Sequence, residues 1–150
     1  MDRCPCDPHQ AYADCCGPLH DRRAVAKSAV QLMRSRYSAY ARGLEDYVFD
    51  TWHASTRPSS LDLAGSQEEW FGLEIVDSGS ASAERSWVRF IAYFRHQGEF
   101  FALEERSQFV SEDAQWRYVD GLCETRPVKR GRNERCVCGS GAKFKRCCGR

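Results

Sequence analysis

One cysteine spacing occurs twice in this chain: Cys-x-Cys, eight residues, then Cys-Cys. It runs through Cys4, Cys6, Cys15 and Cys16 near the start, and through Cys136, Cys138, Cys147 and Cys148 at the end, leaving Cys123 alone. Four thiolates in so short a segment form a soft, compact ligand set, which a zinc ion takes as a tetrahedron. A bond between adjacent cysteines is strained. The opening "MDRCP" has no apolar signal core, and no run approaches the roughly 18 apolar residues of a membrane span. A cytoplasmic setting is therefore expected, where thiols stay reduced and cysteine clusters read as metal sites rather than disulfides.

The C-terminal copy shows how four sulfurs converge. Gly139-Ser140-Gly141 allows a sharp turn with positive φ after Cys138. Residues 142–146 suit one short helical turn, at whose end Cys147 and Cys148 lie about 100° apart and reach one ion. Phe144 is placed to cover the site and Gly149 to end the turn. Lys143, Lys145, Arg146 and Arg150 offset the formal −2 of four thiolates and Zn²⁺. In the N-terminal copy Asp7-Pro8-His9-Gln10 replaces the glycine turn, Tyr12 stands where Phe144 does, and Gly17 matches Gly149. His9 is an alternative ligand or an exposed loop residue. Four sulfurs leave no open position for hydrolytic chemistry.

The charge is unevenly placed. The chain carries +1 overall, but residues 126–150 hold nine Lys or Arg against Glu134 alone, so the tail is +8 and the body −7. Such a tail suits an acidic protein partner, a nucleic acid, or the chain's own acidic body. Lys129, Arg130, Arg132, Arg135, Lys143, Lys145 and Arg146 are the phosphate candidates, with Phe144 the one aromatic available for stacking.

Between the clusters the pattern is α+β. Apolar residues recur at threes and fours over 24–42, from Val25 to Tyr40, and Gly43 stops that helix. Leu44, Val48 and Trp52 predict a second helix over 45–53, followed by a loop over 55–60. Ser66 and Glu69 match a capping box for a further helical turn. Then the period changes to that of strands: a short one at 73–76, then 87–96, 100–110 and 115–120, the last three joined by turns into an antiparallel meander. Helices first and a curved sheet after them predict helices packed on one sheet face. The expected organisation is a cysteine motif over 1–19, a central domain over 20–127 and a basic cysteine motif over 128–150.

"CVCGSGAKFKRCCG" resembles the SEC-C motif, a zinc-binding motif found at the C-terminus of a bacterial translocase motor, where it contacts a chaperone. "LMRSRYSAY" (32–40), "TWH" (51–53), "EWFGLEI" (69–75), "ERSQF" (105–109) and "QWRYVDG" (115–121) follow in order between two such motifs. Together they are similar to the YchJ family of small bacterial proteins over essentially the whole chain. The resemblance implies a central domain of the nuclear-transport-factor-two-like type, a cone of helices against a curved sheet. That architecture serves enzymes, ligand binders and interaction modules alike.

One strand holds the best case for a chemical site. Alternation puts Phe101, Leu103, Glu105, Ser107 and Phe109 on one face, so Glu105 would be a carboxylate among apolar groups. Arg34 and Arg36 are the candidate cations, His53 a candidate proton carrier, and Tyr37, Tyr40, Trp116 and Tyr118 candidate pocket walls. No nucleophile–base arrangement, phosphate loop or dinucleotide motif accompanies them. Three readings follow: an adaptor that docks a protein through its zinc motif, a small-ligand or enzymatic cone, and a nucleic-acid binder.

Overall fold

The computed structural model describes residues 2–63 and 68–149. A two-residue strand β1 (Arg3–Cys4) pairs antiparallel with β2 (Asp7–Ala11), and a 3-10 turn at Tyr12–Asp14 leads into the single-turn helix α1 (Gly17–His20). Helices α2 (Ala29–Arg42) and α3 (Glu45–Asp50) follow. Four long strands complete the body: β3 (Glu69–Ser82), β4 (Arg85–His96), β5 (Glu99–Glu112) and β6 (Gln115–Pro127). They form one antiparallel meander in sequence order.

The helix begins later than the periodicity suggests because its cap lies inside the apolar run. Ser28 accepts a hydrogen bond from the Gln31 N–H at 3.1 Å, and the Gln31 side chain reaches back to the Lys27 N–H at 2.7 Å. This reciprocal box satisfies N–H groups that a free helix end leaves unpaired. Gly43, at φ 70°, ends α2 in the left-handed conformation, as expected. Ser28→Ala should cost about 1 kcal/mol, seen as a drop of about 2–4 °C in thermal midpoint.

Three expected elements differ in the structure. The second helix stops at Asp50 because the next residues join the sheet. Tyr118 N–H donates to Thr51 O at 2.8 Å, and His53 N–H donates to Tyr118 O at 2.7 Å. The short strand at 73–76 is the middle of a fourteen-residue edge strand. Its polar half, from Asp77 on, shows no apolar alternation and is held by pairing along the length of β4. Ser66 of the proposed capping box lies outside the described residues; Glu69 opens β3 and pairs with Arg95 at 2.6 Å.

Helix α2 buries Leu32, Met33, Tyr37 and Ala39 against Val88, Phe90 and Ala92 of β4 and Phe109 of β5. Burial of such side chains contributes roughly 1.5–3 kcal/mol each. Cys4, Cys6 and Cys16 are part of this same core. Two-residue hairpins join β4 to β5 at Gln97-Gly98 and β5 to β6 at Asp113-Ala114, all four residues at positive φ. That conformation matches the twist of the flanking strands. Among the described residues no helix is long and apolar enough to cross a membrane.

Candidate metal centres

The two cysteine clusters repeat one another in detail. In the first, the Tyr12 N–H donates to Asp2 O at 2.9 Å and the Cys15 N–H to Tyr12 O at 3.1 Å. In the second, the Phe144 N–H donates to Glu134 O at 2.7 Å and the Cys147 N–H to Phe144 O at 3.1 Å. The helical turn expected there is a 3-10 turn at Phe144–Arg146. Gly139 and Gly141 turn at φ 83° and 86°. In the N-terminal copy Asp7-Pro8-His9 reaches the same end without positive φ, through pairing of β1 with β2. Gly17 and Gly149 are required for space: a Cβ there would lie 2.8 Å and 2.7 Å from the Tyr12 and Phe144 carbonyl oxygens.

The sulfurs converge in both copies. Cys4, Cys6, Cys15 and Cys16 lie within 4.8 Å of one another, as do Cys136, Cys138, Cys147 and Cys148. Cys6 Sγ is 3.6 Å from Cys4, 3.5 Å from Cys15 and 3.7 Å from Cys16, and Cys138 Sγ is 3.4 Å from Cys147. The adjacent pairs are 4.0 Å apart. A tetrahedron with metal–sulfur bonds of about 2.3 Å has edges of about 3.8 Å, so both sets fit one ion each. These separations are far beyond a disulfide bond of about 2.05 Å. Cys16 and Cys6 hydrogen bonds hold the Cys4 thiol well below its usual range, while its bond to Cys4 pushes Cys16 up. In the other cluster the Ser140 hydroxyl, 3.3 Å from Cys147 Sγ, brings that thiol down to about 7.

The surroundings differ. The first cluster is deeper: Cys4, Cys6 and Cys16 are 2–3% exposed and Cys15 is half-buried, with Ser38 Oγ 3.5 Å from Cys4 Sγ. His20 locks it to α2. Its Nε2–H donates to Ser35 O at 2.8 Å and its Nδ1 accepts from the Tyr12 hydroxyl at 2.5 Å. Burial lowers the His20 pKa, which favours this neutral tautomer. The second cluster is shallower, with Cys147 and Cys148 lining an open depression beside Trp70, Phe71 and Phe100. Phe144 stands edge-on to Phe100, 5.1 Å between ring centres, and its ring fills the space beside Gly149.

The two knuckles touch. His9 Nε2 lies 2.9 Å from Gly139 O, so His9 joins the knuckles and is not a ligand. Gly72 of β3 lets the second knuckle sit down on the sheet: a Cβ there would be 2.7 Å from Val137 O. Isolated glycines within strand patterns signal such close approaches, but with the strand expected only at 73–76 Gly72 fell just outside the pattern.

The four pocket candidates divide. Arg36 and Glu105 line one cavity of about 230 Å³ between α2 and the sheet, with Tyr37, Tyr40, Trp52, Trp70 and Tyr118 among its walls. Arg34 instead reaches the first knuckle, its Nη1 3.4 Å from Cys6 O. His53 lies elsewhere, with Nε2 2.6 Å from Glu112 and Nδ1 2.7 Å from Ser55 Oγ. Trp116 lines a separate cleft with Arg22, Arg57 and Arg117. Cys123 is exposed on β6, and all nine cysteines are free. Arg150 lies outside the described residues.

An α+β cone with a four-cysteine knuckle at each end, each set able to hold a metal ion, defines the class of protein. Residues 28–121 match the family description "YchJ, middle NTF2-like domain", and residues 132–150 match the SEC-C motif. UPF0225 proteins of Vibrio parahaemolyticus and Vibrio vulnificus are 41% and 42% identical, each alignment covering 97% of this chain and 98% of the relative. A SEC-C motif containing protein from Rhodopseudomonas palustris, solved in solution, has a TM-score of 0.73 at 34% identity, over 81% of this chain and 98% of that one. The crystal structure of another, from Psychrobacter arcticus, has a TM-score of 0.71 at 31% identity, over 99% and 96%. The chain belongs to the YchJ family, UPF0225.

Proposed function

We propose that this is a zinc protein whose metal serves shape, and that its C-terminal knuckle is a docking surface for an acidic protein partner. Sulfur-only tetrahedral sets favour Zn²⁺ among the common divalent ions. Four sulfurs per ion fill the coordination sphere, so the ion supplies a cross-link that holds a segment too short to fold alone.

The observation that carries the docking reading is the orientation of the second knuckle. Its aromatic residue, Phe144, is turned onto Phe100 of the body. Lys143, Arg146, Arg132 and Arg135 remain exposed. A compact basic face with its apolar side already covered suits an acidic partner, for which charge chiefly speeds and orients encounter. The SEC-C match over 132–150 supports the same reading.

Protein purified without chelator is expected to hold two equivalents of zinc, each with four sulfur neighbours by X-ray absorption. Changing Lys143, Lys145 and Arg146 together to Glu should preserve both equivalents and the fold. It should abolish binding of proteins that the wild type recovers from a nuclease-treated lysate and rebinds in pure form. Undiminished rebinding by the zinc-replete triple variant would refute the docking surface. Binding of purified RNA in place of any protein, falling steeply with salt, would assign the basic face to nucleic acid.

A further inference from the structure

The cavity between α2 and the sheet contains two opposite charges that do not meet. Arg36 is 3% exposed, yet among the described residues no carboxylate lies within 4.0 Å of it. Its hydrogen bonds to Val48 O and Thr51 Oγ1, both 2.8 Å, leave from Nη1 alone. The guanidinium carbon sits 5.2 Å from the Trp52 ring centre and 4.6 Å from that of Tyr118. A buried guanidinium that no carboxylate touches is costly to desolvate.

Glu105 is held in the same cavity by a different device. Its Oε2 accepts from the Ser107 hydroxyl, and from the Tyr118 hydroxyl at 3.3 Å. The side chain lies against Gly121 of β6, where a Cβ would come within 2.6 Å of Oε2. A structural ion pair between helix and sheet would need none of this. Instead the carboxylate is fixed from one side by β5 and β6, apart from the cation on α2.

We propose that this cavity binds a small neutral aromatic molecule carrying a hydrogen-bond acceptor and a donor on one substituent, the chemistry of a primary carboxamide. Neutrality follows from charge balance: Arg36 and Glu105 cancel, and an ionised ligand would leave one buried charge in excess. The acceptor faces the guanidinium and the donor faces the carboxylate. Aromaticity follows from the walls, since Tyr37, Tyr40, Trp52, Trp70, Phe90 and Tyr118 offer ring faces and edges. Size follows from volume. An engineered cavity of about 150 Å³ in another protein takes benzene, and about 230 Å³ here leaves room for one ring and a substituent. Trp52 adds a buried indole N–H that has no partner among the described residues. The site uses neither metal centre and no residue of the basic docking face.

The test compares benzamide, benzoate and benzylammonium, which share a ring and differ in charge, on metal-replete full-length protein. Amide and indole N–H resonances of the cavity residues report binding. Benzamide should give saturable shifts at least tenfold tighter than either ion. Ala92→Leu, which fills the cavity from β4, should abolish them; if it does not fold, Leu103→Phe fills it from β5. Glu105→Gln removes the negative charge, so preference should invert towards benzoate, an outcome a purely structural role for Glu105 does not give. No saturable shift with benzamide, equal binding of the three probes, unchanged binding in a folded cavity-filled variant, or an uninverted preference in Glu105→Gln would each overturn the proposal.

Discussion

Cys16→Ser is expected to unfold the whole chain and not merely its first nineteen residues. Cys16 is 2% exposed and sits in the same buried cluster as Leu19, Leu32, Met33 and Tyr37. The four-sulfur site at this end cross-links β1, β2 and the start of α1, and those segments cover one side of α2. Losing the proposed ion leaves two buried thiols, Cys4 and Cys6, and the half-buried Cys15 without it. It also frees the Tyr12–His20–Ser35 chain of hydrogen bonds, which ties the knuckle to the helix. Structural zinc in small peptides contributes about 10–16 kcal/mol near neutral pH, while a whole domain has only about 5–15 kcal/mol to lose. The loss at this site thus matches or exceeds the entire margin. Far-UV circular dichroism and amide-resonance dispersion on the variant check it. A dispersed spectrum with one remaining equivalent of metal would show that the cone stands without its first knuckle.

Much of this fold was legible because short-range rules decide it. Gly43 stops α2 by its φ, the Gln97-Gly98 turn sets the β4–β5 hairpin, and alternation placed Leu103 and Glu105 on the inner face. The cysteine spacing marked both four-sulfur sets, since ligands within one short segment need no tertiary information to be grouped. What escaped depends on contacts between distant segments. Arg34 and Arg36 are two residues apart on one helix, which turns them about 200° from each other. Only packing shows that Arg36 enters the cavity and Arg34 the knuckle. His53 follows a helical pattern in sequence, but its N–H donates to Tyr118 O on β6, a contact no local pattern encodes. The meeting of the two knuckles through His9 and Gly139 joins residues 130 positions apart, and nothing local announces it.

Cys147→Ser, made at the other end of the same repeat, is expected to have a different consequence: loss of one equivalent of metal and melting of the C-terminal knuckle, with the cone left standing. This knuckle lies on the body rather than in it. It is held by Phe144 against Phe100, by His9 at Gly139, and by the close approach of Val137 and Cys138 to Gly72. Cys136 alone of its four cysteines is buried. Without the ion a segment of this length cannot offset its own conformational entropy. The Val128 N–H to Phe100 O bond, 2.8 Å, marks where order should end. Trypsin reads this directly, because Lys129, Arg130, Arg132 and Arg135 all lie beyond it. Cleavage there should be fast in Cys147→Ser and slow in the metal-replete wild type, with the fragment ending near Lys129 resistant and folded. Thermal unfolding of that core should shift by only a few degrees, about 1–2 kcal/mol on a chain of this size. Gly72→Val separates docking from metal binding: its side chain would meet Val137 O and the Cα of Cys138 but no sulfur, so both equivalents should remain. It still exposes the tail to trypsin, because a side chain at 72 occupies the place of Val137 O. A tail that stays protected in Cys147→Ser would mean that packing on Phe100, and not the ion, holds the knuckle together.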